Sequence, residues 1–323
     1  MRGKILKVLF ENMNEFISGE ELSEELGVSR TAIWKHIKKL KEEGYEIESV
    51  TKRGHRLMGY PDIISKQLIE TSIETKYIGK KVVFINELGS TNDEAKMIAQ
   101  EEVEGTIVIS EVQTKGRGRR GRNWHSKEGS GIWMSIILKP KISPSEAPFI
   151  TQIVGAGIIR GFEKLGIDAK IKWPNDIILN DKKVCGILTE MNMDFDGINY
   201  VVAGIGINVN IISFPDDLKD IATSIKLEKY EVSRLEIIQN ILPEIERLYD
   251  KFMKNNDKKE VIAICKSRSN IIGKKINIIK ESATKQAKAI DITSEGNLLV
   301  EYEDLSTEEI NSGEVSIRRN LND

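Results

Sequence analysis

Between residues 114 and 124 the chain reads Thr-Lys-Gly-Arg-Gly-Arg-Arg-Gly-Arg-Asn-Trp, directly after an apolar, β-branched run from Thr106 to Gln113 that predicts a buried strand. Gly116, Gly118 and Gly121 free the backbone for close approach to another group. Arg117, Arg119, Arg120 and Arg122 present planar donors suited to carboxylate and phosphate. The three glycines also satisfy the dinucleotide pattern G-x-G-x-x-G, whose fold needs a helix to begin at the end of the pattern and aim its N-terminus at pyrophosphate. Residues 123 to 131 are polar and glycine-rich with no helical period, so a dinucleotide fold is rejected. An anion-binding loop and a merely solvated basic loop both remain, and the motifs around the stretch decide between them.

At 323 residues the chain exceeds one ordinary domain and fits two or three. Its net charge of −2 predicts no partner, so any nucleic-acid contact must come from local clustering. Cys185 and Cys265 are too few and too far apart for a disulfide framework or a cysteine zinc site, and His36, His55 and His125 have no metal-ligand spacing. The opening Met-Arg-Gly-Lys leads into an amphipathic segment and not a signal peptide's apolar run. No stretch approaches a membrane span, and a cytoplasmic protein without a membrane partner is expected.

Ile5, Val8, Leu9 and Phe16 sit near helical spacing and predict a first helix over residues 4 to 16. Ser18 with Glu21 forms a capping-box pattern for a second helix, Gly27-Val28 makes a tight turn, and Ser29 caps a third helix running to about Glu43 with Ile33, Ile37 and Leu40 on its buried stripe. This is a helix-turn-helix layout. The third helix offers Arg30, Thr31, Trp34, Lys35 and Lys38 where a recognition helix meets bases and phosphates, and two short strands joined at Lys52-Arg53-Gly54 make a basic wing. A small helical interaction domain with an ordinary charged face fits the same pattern, and Trp34 either stacks on a duplex or covers neighbouring side chains. Turn residues from Gly59 to Asp62 place a boundary there, giving a first domain over 1–60 and a linking helix over 63–74.

The next strand, Lys81 to Glu87, delivers Gly89-Ser90-Thr91-Asn92, whose hydroxyls and amide either cap the following helix or bind a polar ligand. A long helix over 148–165 carries Gly155, Ala156, Gly157 and Gly161, where it can lie close to a sheet. Lys172-Trp173-Pro174-Asn175-Asp176 then sets a cation, an amide and a carboxylate at a rigid bend. Read functionally this is a nucleotide and Mg²⁺ site, with Asp176 near the hard cation; read plainly it is a β-turn. Lys183, opening an otherwise apolar strand, is costly to bury unless it meets an anion. Strand alternation places Cys185 on its face, and without a histidine partner Cys185 reads as a small core residue. Gly204-Ile-Gly-Ile-Asn208 ends a further strand with backbone open to close approach, and from about Ile271 short strands suggest a small all-β module.

In this order the motifs resemble those of bifunctional biotin protein ligases that double as biotin operon repressors, over nearly the whole length. The resemblance implies an α+β protein: a winged helix-turn-helix (1–60), a mixed α/β biotin/lipoate-ligase-like domain (63–270) and an SH3-like β-barrel (271–323). It implies that Ser90, Thr91, Asn92 and Gln113 line a biotin pocket, that Arg117, Gly118 and Arg119 fold over the ligand, and that Lys183 binds the biotin carboxylate and then the α-phosphate. It sets Arg119, Arg120, Arg122, Trp124, Lys172, Asn175, Asp176, Asn208 and Arg318 about ATP, with Mg²⁺ at Asp176, and gives Lys183 and Arg119 the catalytic roles. The implied partners are a biotin carboxyl carrier protein, operator DNA and, on binding biotinyl-5′-AMP as corepressor, a second copy of the chain. Two other classes stay open: a ligand-sensing repressor without ligase activity, and a ligase for a related acid such as lipoate.

Overall fold

Serine caps and glycine turns divide the first 74 residues into short helices. The computed structural model describes residues 1–280, 283–311 and 314–317, and the chain separates into units Met1–Glu74 and Thr75–Asp323. The first unit runs α1 (Arg2–Glu11), α2 (Gly19–Leu26), α3 (Arg30–Glu42), an antiparallel hairpin of β1 (Glu46–Val50) and β2 (Gly54–Gly59), and α4 (Lys66–Ser72). Ser18 Oγ accepts from the Glu21 N–H at 3.0 Å and Ser29 Oγ from the Ala32 N–H at 3.2 Å, satisfying donors that a helix start leaves open. Gly27 closes α2 in the left-handed conformation (φ +64°).

Ile5, Leu9, Leu22, Ile33, Ile37, Leu40 and Leu57 form this unit's core. Helix α1 stops at Glu11, short of the expected Phe16, because Asn14 turns at φ +69°. Phe16 instead lies under the Arg53 and Arg56 guanidiniums of the hairpin, at 4.3 and 4.5 Å. Helix α4 buries Leu68 and Ile69 and packs on α1, so the expected boundary after residue 60 falls inside this unit.

The second unit is built on a seven-stranded sheet of order β3-β4-β5-β9-β8-β7-β6. Its strands are β3 (Val82–Leu88), β4 (Ile107–Gln113), β5 (Gly131–Leu138), β6 (Lys170–Lys172), β7 (Asp176–Leu179), β8 (Lys182–Asp194) and β9 (Gly197–Asn208). Strands β3 and β4 are parallel and every other neighbouring pair is antiparallel. Helix α5 (Thr91–Ile98) packs Ala95, with Ala99 just past its end, on Val108, Ile137 and Val202. By strand alternation Gly204 and Gly206 share the face of Val202, whereas Ile187 points to the opposite one and meets α6 (Phe149–Lys164) at Gly155. Gly157 and Gly161, expected against a sheet, instead admit α7 (Arg234–Asn255): a Cβ on either would stand 2.9 Å or less from the backbone of Ile245 or Ile241.

Helix α8 (Lys259–Ser267) leads to an antiparallel five-stranded module of order β13-β12-β11-β10-β14, comprising β10 (Lys275–Lys280), β11 (Ala283–Ile292), β12 (Leu298–Glu301), β13 (Thr307–Ile310) and β14 (Glu314–Ile317). The Gly296 carbonyl, in the turn between β11 and β12, accepts from Gln152 Nε2 at 2.7 Å and from Trp173 Nε1 at 3.0 Å. The tryptophan of the expected nucleotide bend is therefore spent on docking this module to the β6–β7 bend, beside Gln152 of α6.

Candidate active site

The site begins where β3 hands over to α5. Ser90 occupies the N-cap position by its backbone, but its side chain makes no capping bond, so the capping reading of the Ser-Thr-Asn stretch is not realised. Thr91 donates from both N–H and Oγ1 to Gln113 Oε1 at 2.8 and 3.1 Å, and Gln113 Nε2 donates to Ser126 Oγ at 3.0 Å. Ser135 Oγ lies 2.8 Å from Thr91 Oγ1 and 2.6 Å from Asn92 Oδ1. Five buried or half-buried polar side chains are thus locked to one another with acceptor lone pairs to spare. A Cβ at Gly204 would meet Asn92 Oδ1 at 2.1 Å, so only glycine lets α5 seat this amide on the sheet.

After Gln113 the basic stretch crosses over this cluster. Gly118 N–H donates to the Arg122 carbonyl at 2.7 Å and Trp124 N–H to that of Gly116 at 2.9 Å, folding the stretch on itself. No helix follows Gly121, as the rejection of a dinucleotide fold requires. The arginines reach different elements: Arg117 to Asp93 and Glu190, Arg119 to Asn175 Oδ1 at 3.2 Å, and Arg120 to the Ile279 carbonyl of β10 at 3.1 Å. The Arg117 guanidinium holds the Asp93 carboxyl down at about 2. Burial pushes Glu190 up, but the Asn92 amide, Lys96 and Arg117 reverse this and leave it below the usual carboxylate range.

Beyond the loop, Lys183 Nζ pairs with Asp176 Oδ1 at 2.6 Å and lies 5.2 Å from the centroid of the Trp124 ring. Asn175 Nδ2 donates to the Ile187 carbonyl at 2.9 Å, fixing the amide that Arg119 meets. The β7–β8 register shifts beside Ile177 and Ile178, pairing Ile177 with Cys185 but Ile178 with Lys183. This bulge breaks the expected alternation: Lys183 turns to the side of Gly186, within 3.1 Å of where its Cβ would stand, and Cys185 is fully buried away from it. Burial pushes the Cys185 thiol far up, which removes it as a nucleophile.

The ligand-facing groups among these line one cavity of about 900 Å³. Ser90, Thr91, Asn92 and Gln113 stand at it, as do Arg117, Gly118, Arg119, Arg120, Arg122 and Trp124, and so do Lys172, Asn175, Asp176, Lys183 and Asn208. Arg318 lies outside the described residues. Sequence reasoning missed Asp93, Glu190, Ser126 and Ser135, and also the Phe214, Leu218, Ile221 and Ala222 side of the cavity. Asp93 adjoins the Ser-Thr-Asn motif and was within reach; the others carry no local signal. In the first unit Arg30, Thr31, Trp34, Lys35 and Lys38 are exposed on α3 opposite Ile33 and Ile37, and Lys52 and Arg53 are exposed at the hairpin tip.

A cleft of this size joining a hydroxyl–amide cluster to a lysine–carboxylate pair under an arginine loop, on this mixed sheet, defines a protein ligase of the biotin and lipoate class. The model of the biotin/lipoate A/B protein ligase family matches residues 85–210, that of an HTH domain residues 2–56, and that of the biotin protein ligase C-terminal domain residues 271–318. The bifunctional ligase/repressor BirA of Bacillus subtilis is 40% identical over 306 residues, covering 93% of this chain and 94% of that protein; the Escherichia coli BirA is 34% identical over 60% of each chain. The solved biotin protein ligase from Aquifex aeolicus in complex with biotin and ATP superposes with a TM-score of 0.64 at 30% identity, over 75% of this chain and 100% of that one. The chain belongs to the BirA family of bifunctional ligase/repressors.

Proposed function

We propose that the cavity activates biotin as biotinyl-5′-AMP and transfers the biotinyl group to a lysine of a biotin carboxyl carrier domain, and that the first unit is a DNA-binding repressor with the adenylate as corepressor. The observation that carries the enzymatic half is the meeting, in one cavity, of the Thr91–Asn92–Gln113–Ser135 cluster with the Lys183–Asp176 pair. The cluster suits a ureido ring, which offers both donors and an acceptor. Lipoate's dithiolane has no such groups and would leave buried polar atoms without an external partner.

In the reaction biotin's carboxylate attacks the α-phosphorus of ATP, forming a mixed anhydride and expelling pyrophosphate. Two anions must approach, and cations held in a dry cleft lower that barrier. Lys183 is the ammonium for the carboxylate, and Arg119, seated on Asn175, is the guanidinium for the phosphate. Among the described residues no three His, Cys, Asp or Glu side chains cluster to hold a metal by themselves. A single carboxylate does suit Mg²⁺ arriving on ATP, which keeps several waters and offsets phosphate charge. Asp176 would hold it. The carrier's lysine amine then attacks the anhydride carbonyl and releases AMP, so no nucleophile of the enzyme takes part.

The exposed cations of α3 and the hairpin suit the major groove and flanking phosphates, and an adenylate-promoted dimer would set two such helices on two half-sites. Equal sedimentation of ligand-free and adenylate-loaded protein would contradict the dimer. For the ligase, intact protein incubated with carrier domain, biotin and MgATP should add one biotinyl mass to a carrier lysine. An unmodified carrier would overturn the transfer step.

A further inference from the structure

Arg117 ties the basic loop to the ligand cluster through ionic contacts. Arg117 Nη2 donates to Asp93 Oδ1 at 2.6 Å while Nη1 donates to the other oxygen of the same carboxylate, a two-pronged pair with fixed geometry. The Arg117 Nη2 also stands 3.4 Å from both oxygens of Glu190. Glu190 in turn accepts from Asn92 Nδ2 at 2.8 Å and from Lys96 Nζ at 3.0 Å. Two carboxylates and two cations are balanced here, and the Glu190 carboxylate joins a residue of the ligand cluster to the first arginine of the loop. Gly116 and Gly118 flank Arg117, so little in the neighbouring side chains would hold this arm of the loop without the pair.

We infer that Asp93 and Glu190 are positioning residues that hold the basic loop shut over the amide end of the cavity through Arg117, and so set how long a bound ligand is retained. This rests on the reading that the cavity takes biotin. Neither carboxylate enters the reaction; each acts through the arginine. Because Asn92 and Arg117 share Glu190, a polar group seated on Asn92 strengthens the same network that closes the loop.

Trypsin reads the latch directly, since Lys115, Arg117, Arg119, Arg120 and Arg122 are all cleavage points in the loop. With the native fold checked by Tm, Asp93→Asn should speed cleavage within residues 115–122 by about fivefold, the scale of a part-exposed ion pair, and Asp93→Glu should stay near the wild-type rate. In turnover Asp93→Asn should raise KM for biotin by a similar factor with kcat little changed. Glu190→Gln provides the same test if Asp93→Asn lowers the Tm. Wild-type cleavage rates in both variants would overturn the latch. If biotin slows wild-type cleavage and Asp93→Asn still nicks at the wild-type rate, the latch fails and the biotin reading stands. If Asp93→Asn opens the loop but biotin protects neither protein, the latch stands and the biotin reading fails.

Discussion

In the proposed reaction Lys183 is the residue on which the chemistry turns. Its side chain is 30% exposed and its ammonium is already paired with Asp176, so replacing it leaves a carboxylate facing the substrate's own anions. Lys183→Ala should therefore reduce adenylate formation by about 100-fold or more, the effect of losing one preorganised charge, with little change in Tm. Adenylation at the wild-type rate would contradict the role given to it. Lys183 and the loop arginines were legible in the sequence because charge is rare on a buried strand and dense in a glycine-rich loop. Glu190, Ser126 and Ser135 were not, since each is an ordinary strand or loop residue that gains its meaning only from what packs across from it. The bulge that separates Lys183 from Cys185 was equally silent, because a shift of register is set by the partner strand.

At the scale of elements, helices with caps and clean stripes were readable, as α2 and α3 show. What failed were the endings and the neighbours: α1 is shorter than its apolar spacing, and the glycines of α6 meet a helix where a sheet was expected. Two elements show how local geometry holds each unit. Gly54, at φ +106°, opens β2, and a Cβ there would lie 1.9 Å from the Ile17 carbonyl, which pairs with His55. Gly54→Ala should destabilise the first unit by ~2 kcal/mol or more and weaken DNA binding, while adenylation proceeds. In the second unit Glu246, on α7, accepts from the N–H groups of Lys76, Tyr77 and Ile78 at 2.7, 2.9 and 2.9 Å. Glu246→Ala leaves one buried and two part-buried donors without their acceptor and should cost ~2–4 kcal/mol in urea unfolding. A loss under ~0.5 kcal/mol would show that water replaces the carboxylate.

For the whole molecule, three stretches of sequence with different textures match three families, and a cavity in the second unit gathers every described residue that the resemblance set about biotin and ATP. The order of motifs was legible because glycine-rich loops and lysine–tryptophan–proline bends survive in one dimension. Their convergence was not, since it depends on β8 and β9 running side by side. The proposed reaction joins biotin to AMP in this cavity. Its most direct test is to incubate the purified protein with labelled biotin and MgATP, and separately with labelled lipoate, and to separate the products. Biotinyl-5′-AMP formed at one per chain with no lipoyl adenylate is the predicted result; no adenylate from biotin, or adenylate from lipoate in its place, would contradict it.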